Sequence, residues 1–157
     1  MLDNAMLEQL KSVYSALEGK ITLVYDNSSH AKQTELVEML EAVASTSDKI
    51  EARSSGADSK NPHFHIEHND KPNGISFTGI PGGHEFTSLI LAILNSDGKG
   101  KQPDQLILNR VKAIKGPVKL RTIMSLSCEN CPDVVQALNL MAIHHENFQH
   151  ETVDGGY

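Results

Sequence analysis

The chain reads as an α/β protein built from two tandem units, and three observations predict it. Helical and strand-like apolar periodicities alternate along its 157 residues. A Gly/Lys-rich stretch, Gly98 to Lys101, separates a longer first part from a shorter second one. A shift of 98 residues then lays the apolar positions of the second part over those of the first: Val134, Val135, Leu138 and Met141 fall on Leu36, Val37, Leu40 and Val43.

The elements follow in order. Leu2, Met6, Leu7, Leu10, Val13, Tyr14 and Leu17 mark a helical stripe that Gly19 stops. Ile21 to Tyr25 is a short β-branched run, hence a strand. Asp26 to Ser29 is a turn able to cap the helix that carries Leu36, Val37, Leu40, Val43 and Ala44. Lys49 to Arg53 is a strand, Ser54 to Asn61 a polar loop, and His63 to Ile66 and Gly74 to Ile80 a strand pair. After Gly82-Gly83, the residues Phe86, Leu89, Ile90, Ile93 and Leu94 form a helical face. The second part gives a helix over Gln105 to Ile114, a strand over Val118 to Met124, a helix from Cys131 to Ile143 and a strand over Phe148 to Val153. Helix, strand, helix, three strands and helix is the order of a thioredoxin-like (glutaredoxin-like) fold. The expected organisation is therefore a thioredoxin-like fold over residues 1–101 without cysteines, and a partial one over 102–157, truncated after its second strand. With this order, Asn61-Pro62 is the expected place for a cis-proline.

Composition narrows the function. Apolar residues make up 39% and charged residues 22%, the balance of a globular chain. A net charge of -6 argues against nucleic acid as a partner. No apolar run approaches the roughly 20 residues that span a bilayer, so no membrane association is expected. Met1-Leu2-Asp3-Asn4 lacks the basic start of a signal peptide, and a cytoplasmic location is expected.

The only cysteines, Cys128 and Cys131, stand in Leu126-Ser-Cys-Glu-Asn-Cys-Pro132 at a strand-to-helix junction. That layout is a dithiol redox site. In the shifted alignment they fall on His30 and Gln33, so the first unit is redox-dead. A helix N-terminus favours negative charge and so favours the attacking thiolate. Cys128 is expected to attack, and Cys131, nearly one turn on, to resolve. Pro132 suits the first helical turn. Glu129 opposes thiolate formation beside it, which points to a reducing dithiol, well away from the strong oxidants near about -120 mV. Zinc is the competing chemistry, but it needs four ligands. His144, His145 and His150 are the nearest candidates, and a strand would carry His150 away from the cysteines. His63, His65 and His68 read as ordinary strand histidines, and Glu85 at its helix start as a helix-dipole carboxylate. Gly82-Gly83 lacks any phosphate-cradling pattern.

The stretch Ser125 to Met141, the run Gly83-His-Glu-Phe-Thr-Ser-Leu89, the closing Val153-Asp-Gly-Gly156 and the opening Met1-Leu-Asp3 closely resemble the N-terminal domain of the F subunit of bacterial alkyl hydroperoxide reductase. The resemblance implies a pair of fused thioredoxin-like folds and a relay. Electrons would pass from a pyridine nucleotide through FAD and a dithiol of the reductase body to Cys128/Cys131, then to the disulfide of a peroxiredoxin, the C subunit of the same system. It also implies a proton-transfer role for Glu85. FAD and NAD(P)H are implied for the full-length family member, with no cofactor in this chain and no metal. The missing last strands would leave edges and apolar surface exposed, so a weak C-terminal half, or self-association as a homodimer, is expected. The alternative function is a docking module with a vestigial dithiol.

Overall fold

The computed structural model describes residues 2–157. Five helices and six strands follow one another as α1 (Asn4–Tyr14), β1 (Ile21–Asn27), α2 (Gln33–Ala44), β2 (Ile50–Asp58), β3 (His63–His68), β4 (Lys71–Thr78), a 3-10 turn (Gly83–Glu85), α3 (Phe86–Ser96), α4 (Gln105–Lys112), β5 (Val118–Met124), α5 (Cys131–His144) and β6 (Phe148–Asp154). The expected order is thus observed. The helix starts have local causes. The Asp3 carboxylate accepts from the Met6 N–H at 2.8 Å, and that of Asp104 from the Ile107 N–H at 2.9 Å, each satisfying a donor the helix cannot.

The strands form one mixed sheet in the order β2-β1-β3-β4-β6-β5. β1 runs parallel to β2 and antiparallel to β3, and β3 runs antiparallel to β4. The parallel pairing of β4 with β6, in the register Ile75↔His150 to Thr78↔Val153, joins the two parts into that single sheet. β6 is therefore an interior strand, and the second part's open edge is β5, where Leu120 is 43% and Ile123 71% exposed. The 98-residue shift holds for the elements: Cys131, the first residue of α5, falls on Gln33, the first of α2, and Phe148, the first of β6, on Ile50, the first of β2.

Both β-α-β crossovers step the same way across parallel strands, so right-handed connections set α2 and α5 on one face. The core lies beneath them. Ile21, Leu23, Phe64, Ile66, Ile75, Phe77 and Phe148 project from the sheet to meet Leu10, Tyr14, Leu36, Leu40, Leu89 and Ile93. Ala142 of α5 belongs to the same cluster, so the second part shares the first part's core. The opposite face is polar. Glu67 pairs with Arg53 (3.0 Å) and His65 (3.2 Å), His63 with Asp26 (2.8 Å), and Glu151 accepts from Thr78 (2.7 Å) and Arg121 (2.8 Å). His63 and His65 do share a strand face, as alternation requires, and both are bound to carboxylates there. Among the described residues no helix is long and apolar enough to cross a membrane.

Two expectations are corrected. The cis peptide bond is Gly116–Pro117, not Asn61–Pro62. The start of α2 carries no dithiol for a cis-proline to flank, and Pro62 is buried with its carbonyl accepting from the Gly79 N–H at 2.8 Å. β2 also runs on to Asp58, through residues read as loop. Beyond Ala52 its residues are exposed and, apart from Gly56 and Ala57, polar, so no apolar alternation marks them. They are held instead by Ser54 on Asn27 (2.9 Å) and Ser55 on Asp26 (2.6 Å), across a register shift in β1.

Within the second part a buried polar bridge links sheet to helix. His150 is fully buried; its Nδ1 pairs with Asn139 Oδ1 of α5 and its Nε2 with Thr122 Oγ1 of β5, both at 2.7 Å. A neutral ring can donate to one and accept from the other; a second proton would abolish the acceptor. Burial pushes the imidazole pKa down to about 4, with Glu151 opposing weakly. The unfolded chain therefore binds a proton near the ordinary value of 6.5 and the folded chain only near 4. Stability is complete above 6.5 and is lost as pH falls from there toward 4. At about 1.4 kcal/mol per pH unit, the loss is on the order of 3 kcal/mol. Urea unfolding at pH 7 and pH 4.5 should show it in the native chain, and His150→Leu should flatten that difference while lowering stability at pH 7, because Asn139 and Thr122 lose their partner.

Candidate active site: the dithiol and the turn that faces it

β5 ends at Met124 and α5 begins at Cys131, and the loop between them carries the disulfide Cys128–Cys131, with an S–S distance of 2.09 Å and Cα atoms 5.5 Å apart. The Cys128 N–H donates to the Ser125 carbonyl at 2.9 Å, closing a turn that brings Cys128 back over the helix start. Cys131 is the first helical residue, with Pro132 in the first turn. Cys128 stands three residues earlier, off the end of the helix where unpaired N–H groups point. Both cysteines are half-buried, so exposure does not rank them.

The first part supplies the other wall. Gly83, at φ +54, sits so close to the dithiol loop that a Cβ there would stand 2.8 Å from the Leu126 carbonyl oxygen. That conformation and that approach both require glycine. Next to it the His84 N–H donates to the same oxygen at 3.3 Å. Gly83 is thus a packing device against the dithiol loop, and this close contact leaves no room there for a flavin or nucleotide phosphate.

Glu85 completes the turn. It is fully buried, and neither carboxylate oxygen has a hydrogen-bond partner. It occupies the position before α3, yet its side chain caps nothing, so the helix-dipole reading does not account for its burial. Burial pushes its pKa above the ordinary carboxylate value; the neighbouring Ser88 hydroxyl, outside hydrogen-bond geometry, and His84 oppose this more weakly. The Ser88 hydroxyl accepts from Gln136 Nε2 of α5 at 3.3 Å and makes no hydrogen bond to Glu85. The 3-10 turn bearing Glu85 packs on α5, the helix that begins with Cys131.

The structure thus sets the turn carrying Glu85 and the loop carrying Cys128 and Cys131 side by side, one from the first part of the chain and one from the second. The remaining candidates go elsewhere. His144 bonds Gln102 (2.7 Å), His145 the Ile114 carbonyl (2.7 Å), and His68 Asp97 (2.9 Å). At the first unit's counterpart of the dithiol, the His30 ring lies 5.0 Å from that of Tyr157, and Gln33 Nε2 donates to the Asp26 carbonyl at 2.8 Å. Gly83, Leu126, Ser88 and Gln136 were not singled out as site residues from the sequence; the Gly-Gly pair was the one signal that could have pointed to the close approach.

No model of a known protein family matches the chain. Individual proteins do. The F subunit of alkyl hydroperoxide reductase from Pseudomonas aeruginosa is 39% identical over 155 residues, 99% of this chain, and that of Staphylococcus epidermidis 38% over the same length. The chain spans about 30% of the length of these relatives. Among solved structures, the N-terminal NTD_N/C domain of alkylhydroperoxide reductase AhpF from Enterococcus faecalis superposes with a TM-score of 0.90 at 29% identity, over 98% of this chain and 80% of that one. A protein disulfide oxidoreductase from Aeropyrum pernix shares the fold alone, with a TM-score of 0.82 at 16% identity over 99% of this chain and 77% of that one. Sequence and fold together place the chain in the AhpF family of alkyl hydroperoxide reductases, as a counterpart of that protein's N-terminal domain.

Proposed function

We propose that the chain is a thiol–disulfide relay, taking two electrons from a dithiol of a flavoprotein reductase body and delivering them to the disulfide of a peroxiredoxin. The observation that carries this reading is the dithiol at the N-terminus of α5, faced by a fully buried carboxyl with no partner. In the reduced chain the Cys128 thiolate attacks one sulfur of the partner's disulfide. A mixed disulfide forms and the other partner sulfur leaves as a thiolate that takes up a proton. Cys131, giving up its proton, then attacks Cys128, which closes the bond seen here and releases the partner's second thiolate. Glu85 acts as the proton carrier, a general acid for the departing thiolate and a base for the Cys131 thiol. The nicotinamide and flavin chemistry would belong to the rest of the family's longer chains. We further read residues 1–101 as a cysteine-free thioredoxin-like unit, and 102–157 as a second one cut after β6 whose open edge is β5.

Mixing the reduced chain with disulfide-form peroxiredoxin, then counting alkylated thiols on both by mass, tests the relay. The expected outcome is the loss of two thiols here and the gain of two on the partner. No gain on the partner would refute it.

A further inference from the structure

A groove leads away from the dithiol toward the face of the cysteine-free unit. One hollow of about 690 Å³ lies between α1, α2 and the Gly82-Gly83 turn. Its walls are apolar, with Met6, Met39, Ile80 and Phe86 among them, and Met6 is 36% exposed. A second hollow of about 370 Å³ shares Glu35, Ile80 and Gly82 with the first and continues to Leu126, two residues before Cys128. The two hollows thus adjoin, and the second reaches the dithiol loop at Leu126. Glu35, Glu38 and Glu41 line the α2 side of the first hollow. Glu35 is paired with Lys32 at 2.6 Å, whereas Glu38 and Glu41 have no ion-pair partner among the described residues.

We infer that this groove receives the segment next to the cysteine of the disulfide partner, an extended stretch with an apolar anchor flanked by Lys or Arg. The inference rests on the relay reading. Three features specify the occupant. Continuity with Leu126 fixes where it starts, because a chain that has brought its sulfur to Cys128 meets the groove next. The spacing fixes its length: Glu35 to Ala42 covers about 10 Å of helix, room for roughly three extended residues. The walls and rim fix its chemistry. Two methionines form an adaptable apolar surface, and unpaired carboxylates beside it favour a cationic neighbour and repel an acidic one.

The test compares two electron acceptors for the reduced full chain: the disulfide form of the peroxiredoxin component of alkyl hydroperoxide reductase, and a small aromatic disulfide too short to reach the groove. Met39→Glu places a charge on the apolar wall. The double variant Glu38→Lys/Glu41→Lys reverses the rim at exposed positions and keeps the fold. Both are expected to raise the peroxiredoxin concentration at half-maximal rate about tenfold, while the small disulfide reacts within twofold of the native rate. Salt should slow the native chain with peroxiredoxin, and the double variant should lose that slowing. Native half-saturation in both variants would overturn the groove and leave the relay standing. Failure of the native chain to reduce peroxiredoxin at all would overturn both. A concentration-dependent dimer dissolved by Met39→Glu would assign the groove to a second copy of the chain, against the inference.

Discussion

Cys128→Ser should abolish transfer to peroxiredoxin, whereas Cys131→Ser should attack once and stop. The asymmetry follows from where each sulfur stands on α5. Cys128 lies off the helix end, held by the turn that the Cys128 N–H closes on Ser125, and its thiolate gains from the unpaired N–H groups and the helix dipole. Without it no attacking sulfur remains in that position. Cys131 is inside the first turn, and its expected work is to break the mixed disulfide that Cys128 makes. A serine there leaves the mixed disulfide with no internal thiol to resolve it. Non-reducing electrophoresis and intact mass should therefore show the native chain and free partner after reaction, a stable covalent adduct with Cys131→Ser, and neither adduct nor transfer with Cys128→Ser. An adduct that forms with Cys128→Ser and not with Cys131→Ser would exchange the two roles.

The local parts of the fold were legible because burial imposes a period. Ile21 to Tyr25, Val118 to Met124 and the helix from Cys131 all stand where the sequence sets them: the first is a short buried β-branched run, the second an edge strand ending in buried Met124, and the third buries the stripe Val135, Asn139 and Ala142. The continuation of β2 was not legible, because Ser54 to Asp58 are held by serine hydroxyls and a register shift and have no apolar side to reveal them. The joining of β4 to β6 was hidden for a different reason. It is a parallel pairing between segments some 75 residues apart, and nothing in either strand names its neighbour. That pairing changes the expectation for the second part. β6 is covered on both edges, Ala142 and Phe148 enter the common core, and of the second part's two strands β5 alone presents an unpaired side.

The candidate site divides in the same way. The Cys128–Cys131 pair could be read from spacing, since three residues across a helix start bring two sulfurs together. Glu85 could be attached to it only through family resemblance. Its own surroundings in the sequence, Gly83-His84 before it and Phe86 after it, describe an ordinary helix start. What separates it from a surface carboxylate is its complete burial without a partner, and that depends on α5 packing against the 3-10 turn. The buried bridge of His150, Asn139 and Thr122 was equally invisible, because its three residues come from three elements whose packing the sequence does not state.

Glu85→Gln should slow disulfide transfer and stabilise the chain, two effects with opposite signs from one change. General acid–base groups contribute about a hundredfold or more, so a loss near a hundredfold is expected below the raised Glu85 pKa, on the step that expels the partner's second thiolate. Burial holds the Glu85 pKa above the ordinary carboxylate value, so the native rate should fall as pH rises past that raised pKa and the acid form disappears; the glutamine variant should lack this limb. Stability moves the other way. Below the ordinary carboxyl pKa of 4.5 both folded and unfolded chains carry the protonated acid, and Glu85 adds no pH dependence. Above it the unfolded chain ionises first, so the native fold loses stability as pH rises toward the folded pKa. Glutamine has the same shape and no charge, so its advantage in urea unfolding should grow as pH rises above 4.5 toward the raised pKa of Glu85. A purely structural role for Glu85 would give the stability trend with an unchanged transfer rate. A proton-transfer role requires both, with Glu85→Asp, shorter by one methylene, recovering the pH limb at a reduced rate.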